Sequence, residues 1–171
     1  IPFLIFTGVF SALTSVAYMA AIRKGRELAT RSQWSMPKLL LSCVVVVGAI
    51  GVVVPDVAGL GLRQINQMLD AQFGLGMLLV LLAGKIFVTA YCLNTGFFGG
   101  VFGPALFVGA ATGAVVAHVA ILVGLAPHLS YALPVAAIAA VGGAVIGAPL
   151  TAIMIVIELT GSYAYGLSAM L

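Results

Sequence analysis

Apolar runs long enough to span a bilayer recur along most of this chain. Phe3 to Ile22, Leu39 to Val54 and Leu75 to Leu93 follow one another, with only short polar stretches between them. A helix needs about 20 apolar residues to cross the hydrocarbon core, where every backbone polar group must be satisfied within the segment. The pattern therefore points to an all-α membrane protein. The charge content agrees. Asp, Glu, Lys and Arg make up 6% of the 171 residues and the hydrophobic set 63%, whereas a soluble domain carries about 25% charged residues. Four acids and seven bases cannot coat a water-facing surface of this size. A soluble globular domain and a disordered chain are both excluded. The chain opens on Ile1 and its last apolar stretch runs to Leu171, so the expectation is a piece of a longer chain.

Charge placement orients the first two runs. Arg23, Lys24, Arg26, Arg31 and Lys38 lie between them, opposed only by Glu27. By the positive-inside rule this segment reads as a cytoplasmic loop, with Trp34 as an interfacial anchor. Contact with anionic lipid is an alternative use of the same charges, and nucleic acid is not an expected partner for a loop between spans. Pro55-Asp56 ends the second run. Arg63, Gln64, Asn66, Gln67 and Asp70, interleaved with Leu62, Ile65 and Leu69, then suggest a short amphipathic helix at the membrane surface. Asp56 and Asp70 flank it as caps or solvated groups. Cys43 and Cys92 are isolated in apolar segments and belong to no CxxC, so they imply neither a disulfide nor a zinc site and read as buried small hydrophobes. There is no Ser/His/Asp set, no metal cluster and no nucleotide loop; an enzyme is not expected.

After Leu93 the pattern changes. Asn94-Thr95-Gly96-Phe97-Phe98-Gly99-Gly100-Val101-Phe102-Gly103-Pro104 holds four glycines and a proline, and cannot be a regular helix interior. A helix restarts near Pro104, a residue suited to a first turn, and continues to about Val123. Ala126-Pro127-His128 reads as a surface turn. Tyr131 to Ile146 is a further apolar helix, broken at Gly147-Ala148-Pro149. A short helix follows to Thr160, then a break at Gly161-Ser162 and the start of another helix from Tyr163. Many of the 21 glycines sit at these breaks, around Gly96 to Gly103 and Gly142 to Gly147. Broken helices at membrane depth are tolerated only where backbone is buried in protein or lines a cavity, and they mark transporters and channels.

Gly100-Val101-Phe102-Gly103-Pro104 carries the chemistry. A helix N-terminus presents unpaired N–H groups and about half a positive charge. Glycines ahead of it let backbone approach an ion closely. Together they make an anion site that needs no Lys or Arg, and its modest strength suits an ion that must also leave. The expected donors are the backbone amides of Val101 and Phe102, with Gly103 a weaker candidate; Gly99, Gly100, Gly103 and Pro104 shape the turn. The competing reading is a Gly-rich kink that only lets two helices pack.

Gly100-Val101-Phe102-Gly103-Pro104 resembles the GxFxP signature of the CLC family of chloride channels and chloride/proton antiporters. Gly84-Lys85 and Thr89 precede it at the family's spacing, and Ala105-Leu106-Phe107-Val108-Gly109-Ala110 follows it as in many members. Ala148-Pro149-Leu150-Thr151 through Ile157-Glu158-Leu159-Thr160 resembles a second family block. The resemblance implies an inverted-repeat architecture with broken and re-entrant helices. Residues 1–171 would be the C-terminal part of one transmembrane domain, from about helix J to early helix Q, incomplete at both ends. It implies a bound chloride ion, with no metal or cofactor, held by the amides of Val101 and Phe102. The function implied is selective chloride transport, as a voltage-gated-type channel or a chloride/proton antiporter. The family pattern also implies a homodimer in the cell membrane, multi-pass, in a bacterial inner membrane. The gating and proton-transfer glutamates and a partner broken helix opposite Phe102 would belong to the missing N-terminal half. The family's serine ligand in GSGxP has no counterpart here, and Tyr163 and Tyr165 come too early to be its tyrosine ligand. The alternative to transport is a membrane scaffold or assembly subunit whose breaks are packing kinks.

Other polar residues carry two readings each. Glu158 is an acid inside an apolar segment, able to handle ions or to serve as a structural carboxylate. Lys85, near the middle of the third run, could add positive potential to an anion path or be satisfied by backbone carbonyls. His118 reads as a packing residue. Gly109-xxx-Gly113 and Gly143-xxx-Gly147 read as small-residue helix contacts.

Overall fold

The computed structural model describes residues 2–97, 99–124 and 131–160. Phe98, the expected turn at Ala126-Pro127-His128, the break at Gly161-Ser162 and the helix from Tyr163 that includes Tyr165 lie outside the described residues. Among the described residues the chain is all-helical. In order run α1 (Pro2–Arg31), α2 (Met36–Val53), a 3-10 turn (Pro55–Val57), α3 (Leu62–Leu69), α4 (Leu75–Asn94), α5 (Phe102–Leu122), α6 (Ala132–Ile146) and α7 (Pro149–Thr160). The helices α1, α2, α4 and α5 are each long and apolar enough to cross a membrane. At 15 and 12 residues, α6 and α7 are too short to do so alone.

The basic segment differs from its expected form. α1 does not stop at Ile22 but runs on to Arg31, so Arg23, Lys24 and Arg26 are helical, and Lys38 sits in the first turns of α2. The linker shrinks to residues 32–35. The cause is propensity: Arg, Lys, Glu, Leu and Ala are good helix formers, and loss of hydropathy marks where a membrane could end, not where a helix must. Gly25, the weak link in that stretch, is where α1 crosses α4. A Cβ there would lie 2.5 Å from Asn94 Nδ2. That amide instead donates to the carbonyls of Ile22 at 2.9 Å and Ala90 at 2.7 Å.

α3 forms as its amphipathic spacing predicts, burying Ile65 and Met68. Neither flanking acid caps its N-terminus, which opens on Gly61 at φ 75°. Asp56 accepts from Gln64 Nε2 at 3.1 Å, and Asp70 accepts from the Tyr131 hydroxyl at 2.7 Å.

α5 is the central helix. In its most apolar stretch 78% of residues are buried, against 6% for α2, so α5 forms the core and α2 lies at its margin. Close approach of α5 to α6 explains Gly109 and Gly113. A Cβ on Gly113 would stand 2.3 Å from Pro134 Cα, and one on Gly109 would stand 2.7 Å from Ile138 Cα. These are backbone atoms that cannot rotate away, as in other small-residue helix contacts. Gly147 departs from the packing expectation: no described atom lies within 4 Å of a Cβ there, and its φ of 73° ends α6 in the left-handed region. α1 lays Thr7, Ser11, Ser15 and Tyr18, all buried, along one face toward the core. Thr7 and Ser15 satisfy their hydroxyls on carbonyls one turn back.

Candidate functional site

The break between α4 and α5 is built residue by residue. α4 ends at Asn94, and Thr95 folds its hydroxyl onto Tyr91 O at 2.9 Å. The Phe97 amide donates back to Cys92 O at 3.3 Å. Gly96 turns the chain at φ 100°, a conformation that L side chains rarely adopt. Gly99 and Gly100 are different: both are exposed, and a Cβ on either would meet no described atom within 4 Å. Packing within the described structure does not require their lack of a side chain.

α5 then starts without a cap. Val101 stands at the N-cap and makes no side-chain cap bond. The first amide of the segment to reach a described acceptor is that of Ala105, on Val101 O at 3.0 Å. The amides of Val101, Phe102 and Gly103 donate to no described group, and Pro104 has no N–H to donate. This is the uncapped positive end of a 21-residue helix. Val101 to Pro104 are half-buried, with the glycines on the open side. Gly103 has a packing role besides: a Cβ there would lie 3.0 Å from Leu60 Cδ2.

Two groups position this helix start from behind. The buried Tyr18 of α1 packs among Ala105, Val108 and Val141 and directs its hydroxyl at Val101 O, 3.3 Å away. It thereby holds the 101–102 peptide by its carbonyl side and leaves the amides free. The pattern of α1 gave no reason to single it out; a tyrosine within an apolar run, which needs a hydrogen-bond partner when buried, was the available signal. The second group is Lys85. It is buried, and its ammonium donates to Val57 O at 2.9 Å and Gly59 O at 2.5 Å, 4.7 Å above the ring of Phe107. Neighbouring Gly84 admits Val57, whose Cγ2 would be 3.0 Å from a Cβ. The 57–61 loop so pinned presses Leu60 toward Gly103 and Gly61 onto Phe107. Lys85 is thus engaged with backbone carbonyls of this loop.

Residues 1–171 match the family described as voltage gated chloride channel. The chain belongs to that family. Among curated proteins it is similar to the H(+)/Cl(-) exchange transporter ClcA of three Vibrio cholerae serotype O1 strains, at 35% identity over 113 residues. The match covers 64% of this chain and 24% of each relative, so it spans about a quarter of their length.

Neither Glu158 nor His118 of this voltage-gated chloride channel family chain bonds to a described residue at the α5 start. Glu158 is exposed near the end of α7 and makes no hydrogen bond or ion pair with a described residue. His118 keeps to its own helix, with Nδ1 3.3 Å from Ala114 O. Val101, Phe102, Gly103 and Pro104 are thus brought together with Tyr18 and the Lys85-pinned loop, whereas among the described residues Glu158 and His118 make no hydrogen bond to them. Among the described residues no cluster of His, Cys, Asp and Glu could hold a metal ion.

Proposed function

We propose that this chain supplies half of a selective anion pathway, with chloride held by the backbone amides of Val101 and Phe102 at the start of α5. One observation carries this reading. The amides at the uncapped N-terminus find no described acceptor, and packing in the described structure does not require the two glycines ahead of them. Unpaired N–H groups and the helix dipole favour a small anion there. With Lys85 turned onto carbonyls, no described lysine or arginine bonds at these residues. The ion is therefore held by partial charges, which permits release as well as capture.

In this reading the whole protein is a multi-pass membrane protein of the bacterial inner membrane, a homodimer with one pathway per subunit. An N-terminal half completes the site opposite Phe102. The name of the relatives, an H(+)/Cl(-) exchange transporter, favours proton-coupled exchange over a passive channel. Chloride is the only bound species in this reading, with no cofactor or metal and no catalysis. The test is chloride efflux from liposomes that hold the full-length protein, read together with proton movement. Chloride efflux coupled to proton uptake supports exchange. Cation flux without anion flux would overturn the anion pathway.

A further inference from the structure

Cys43 and Cys92 are 49 residues apart and look unrelated in the sequence, yet their Sγ atoms stand 3.7 Å apart between α2 and α4. Both are free thiols; Cys43 is buried and Cys92 partly accessible. We propose that this pair is an oxidative modification site that closes to a Cys43–Cys92 disulfide in response to a hydroperoxide.

The geometry favours closure. A disulfide needs an S–S distance of about 2.0 Å, so each sulfur moves by about 0.9 Å, within reach of small side-chain rotations. The next rung holds the helices in register while this happens: Tyr91 donates its hydroxyl to Ser42 Oγ at 3.2 Å, also across 49 residues. α2 is the least covered of the long helices, and a covalent link would fix it to α4. The Cys92 carbonyl accepts from the Thr95 hydroxyl and the Phe97 amide. The link would therefore anchor the end of α4 that leads into the Gly99–Pro104 segment.

The chemistry balances with the hydroperoxide as two-electron oxidant. The accessible Cys92 sulfur attacks one peroxide oxygen; the O–O bond breaks, Cys92 becomes a sulfenic acid, and one water leaves when the oxidant is hydrogen peroxide. The Cys43 sulfur then attacks the sulfenic sulfur; the S–S bond forms, the S–O bond breaks, and the leaving hydroxyl takes up the Cys43 thiol proton and departs as a second water. Two thiols have given up two electrons in all. Cys43, being buried, acts as the resolving thiol.

The test uses the full-length protein in lipid vesicles, treated with hydrogen peroxide and alkylated after denaturation. The wild type should lose about two alkylatable thiols, yield a linked peptide pair joining Cys43 to Cys92 by mass spectrometry, and regain both thiols with dithiothreitol. Cys43→Ser should instead trap a sulfenic acid at Cys92 that reacts with dimedone, and Cys92→Ser should leave Cys43 reduced. Full alkylation of both cysteines in the wild type, at a dose that oxidises free glutathione, would overturn the proposal. So would equal dimedone labelling of Cys92 in the wild type and in Cys43→Ser.

Discussion

Replacing Lys85 by methionine keeps the aliphatic stem and removes the ammonium, and the structure allows the consequence to be estimated. The lost contacts are bonds to Val57 O at 2.9 Å and Gly59 O at 2.5 Å, and the approach to Phe107 at 4.7 Å. A bond to a charged group contributes about 1.5–3 kcal/mol, and a cation over an aromatic face about 0.5–2 kcal/mol. Burying the ammonium opposes these gains by several kcal/mol, a cost that methionine does not bear. What methionine cannot do is satisfy the Val57 carbonyl, whose residue is 2% exposed; a stranded buried acceptor costs about 1–3 kcal/mol. Gly59 is exposed and its carbonyl can recover water. The balance is a loss of about 2 kcal/mol, measured as a lower unfolding temperature of the detergent-solubilised full-length protein. Because the 57–61 loop backs Gly103 and Phe107, chloride affinity should fall by less than stability. The opposite result, unchanged stability with a marked loss of chloride affinity, would refute the pinning role and return Lys85 to the anion path.

Other positions separate packing from ion binding. Gly113→Ala should lower stability by more than about 2 kcal/mol, because the new methyl would meet the Pro134 backbone 2.3 Å away and α5 and α6 would have to part; chemical unfolding measures it. Gly100→Ala should leave stability within about 0.5 kcal/mol, since no described residue lies within 4 Å of the added carbon, yet reduce chloride binding in titration calorimetry by placing that carbon beside the amides. Tyr18→Phe should cost about 1 kcal/mol through the lost bond to Val101 O, seen in thermal unfolding.

Much of the fold could be read from punctuation. The third span begins at Leu75 as its hydropathy indicates, and α6 ends at Ile146 because Gly147 takes the left-handed conformation that stops it. The α4–α5 break follows from its glycines and proline, and with it the uncapped start of α5. What the sequence could not show is where helix outlasts hydropathy, as in Arg23 to Arg31, whose side chains suit a helix whether or not lipid surrounds them. Nor could it show partners set by tertiary packing. The Lys85 ammonium finds Val57 and Gly59 in a loop 28 and 26 residues upstream. Tyr18 reaches Val101 across 83 residues, and Cys43 meets Cys92 only because α2 and α4 lie side by side. Local periodicity carries no record of such distant contacts. Gly147 carried two readings: its left-handed backbone bears out the break placed there, whereas the packing suggested by small-residue spacing finds no described neighbour.

Backbone amides cannot be removed by ordinary mutation, so the most direct test replaces the peptide N–H of Val101 or Phe102 by an ester oxygen in the full-length protein. Chloride binding is then measured by titration calorimetry, with Val101→Ala as the side-chain control. Loss of one hydrogen bond to an anion, about 1.5–3 kcal/mol, should weaken chloride binding by about ten- to a hundredfold. Val101→Ala should change it by no more than about twofold, within the small effect expected where no side chain is a ligand. Ester variants that bind chloride as tightly as the parent would contradict the assignment of Val101 and Phe102 as the anion-binding amides.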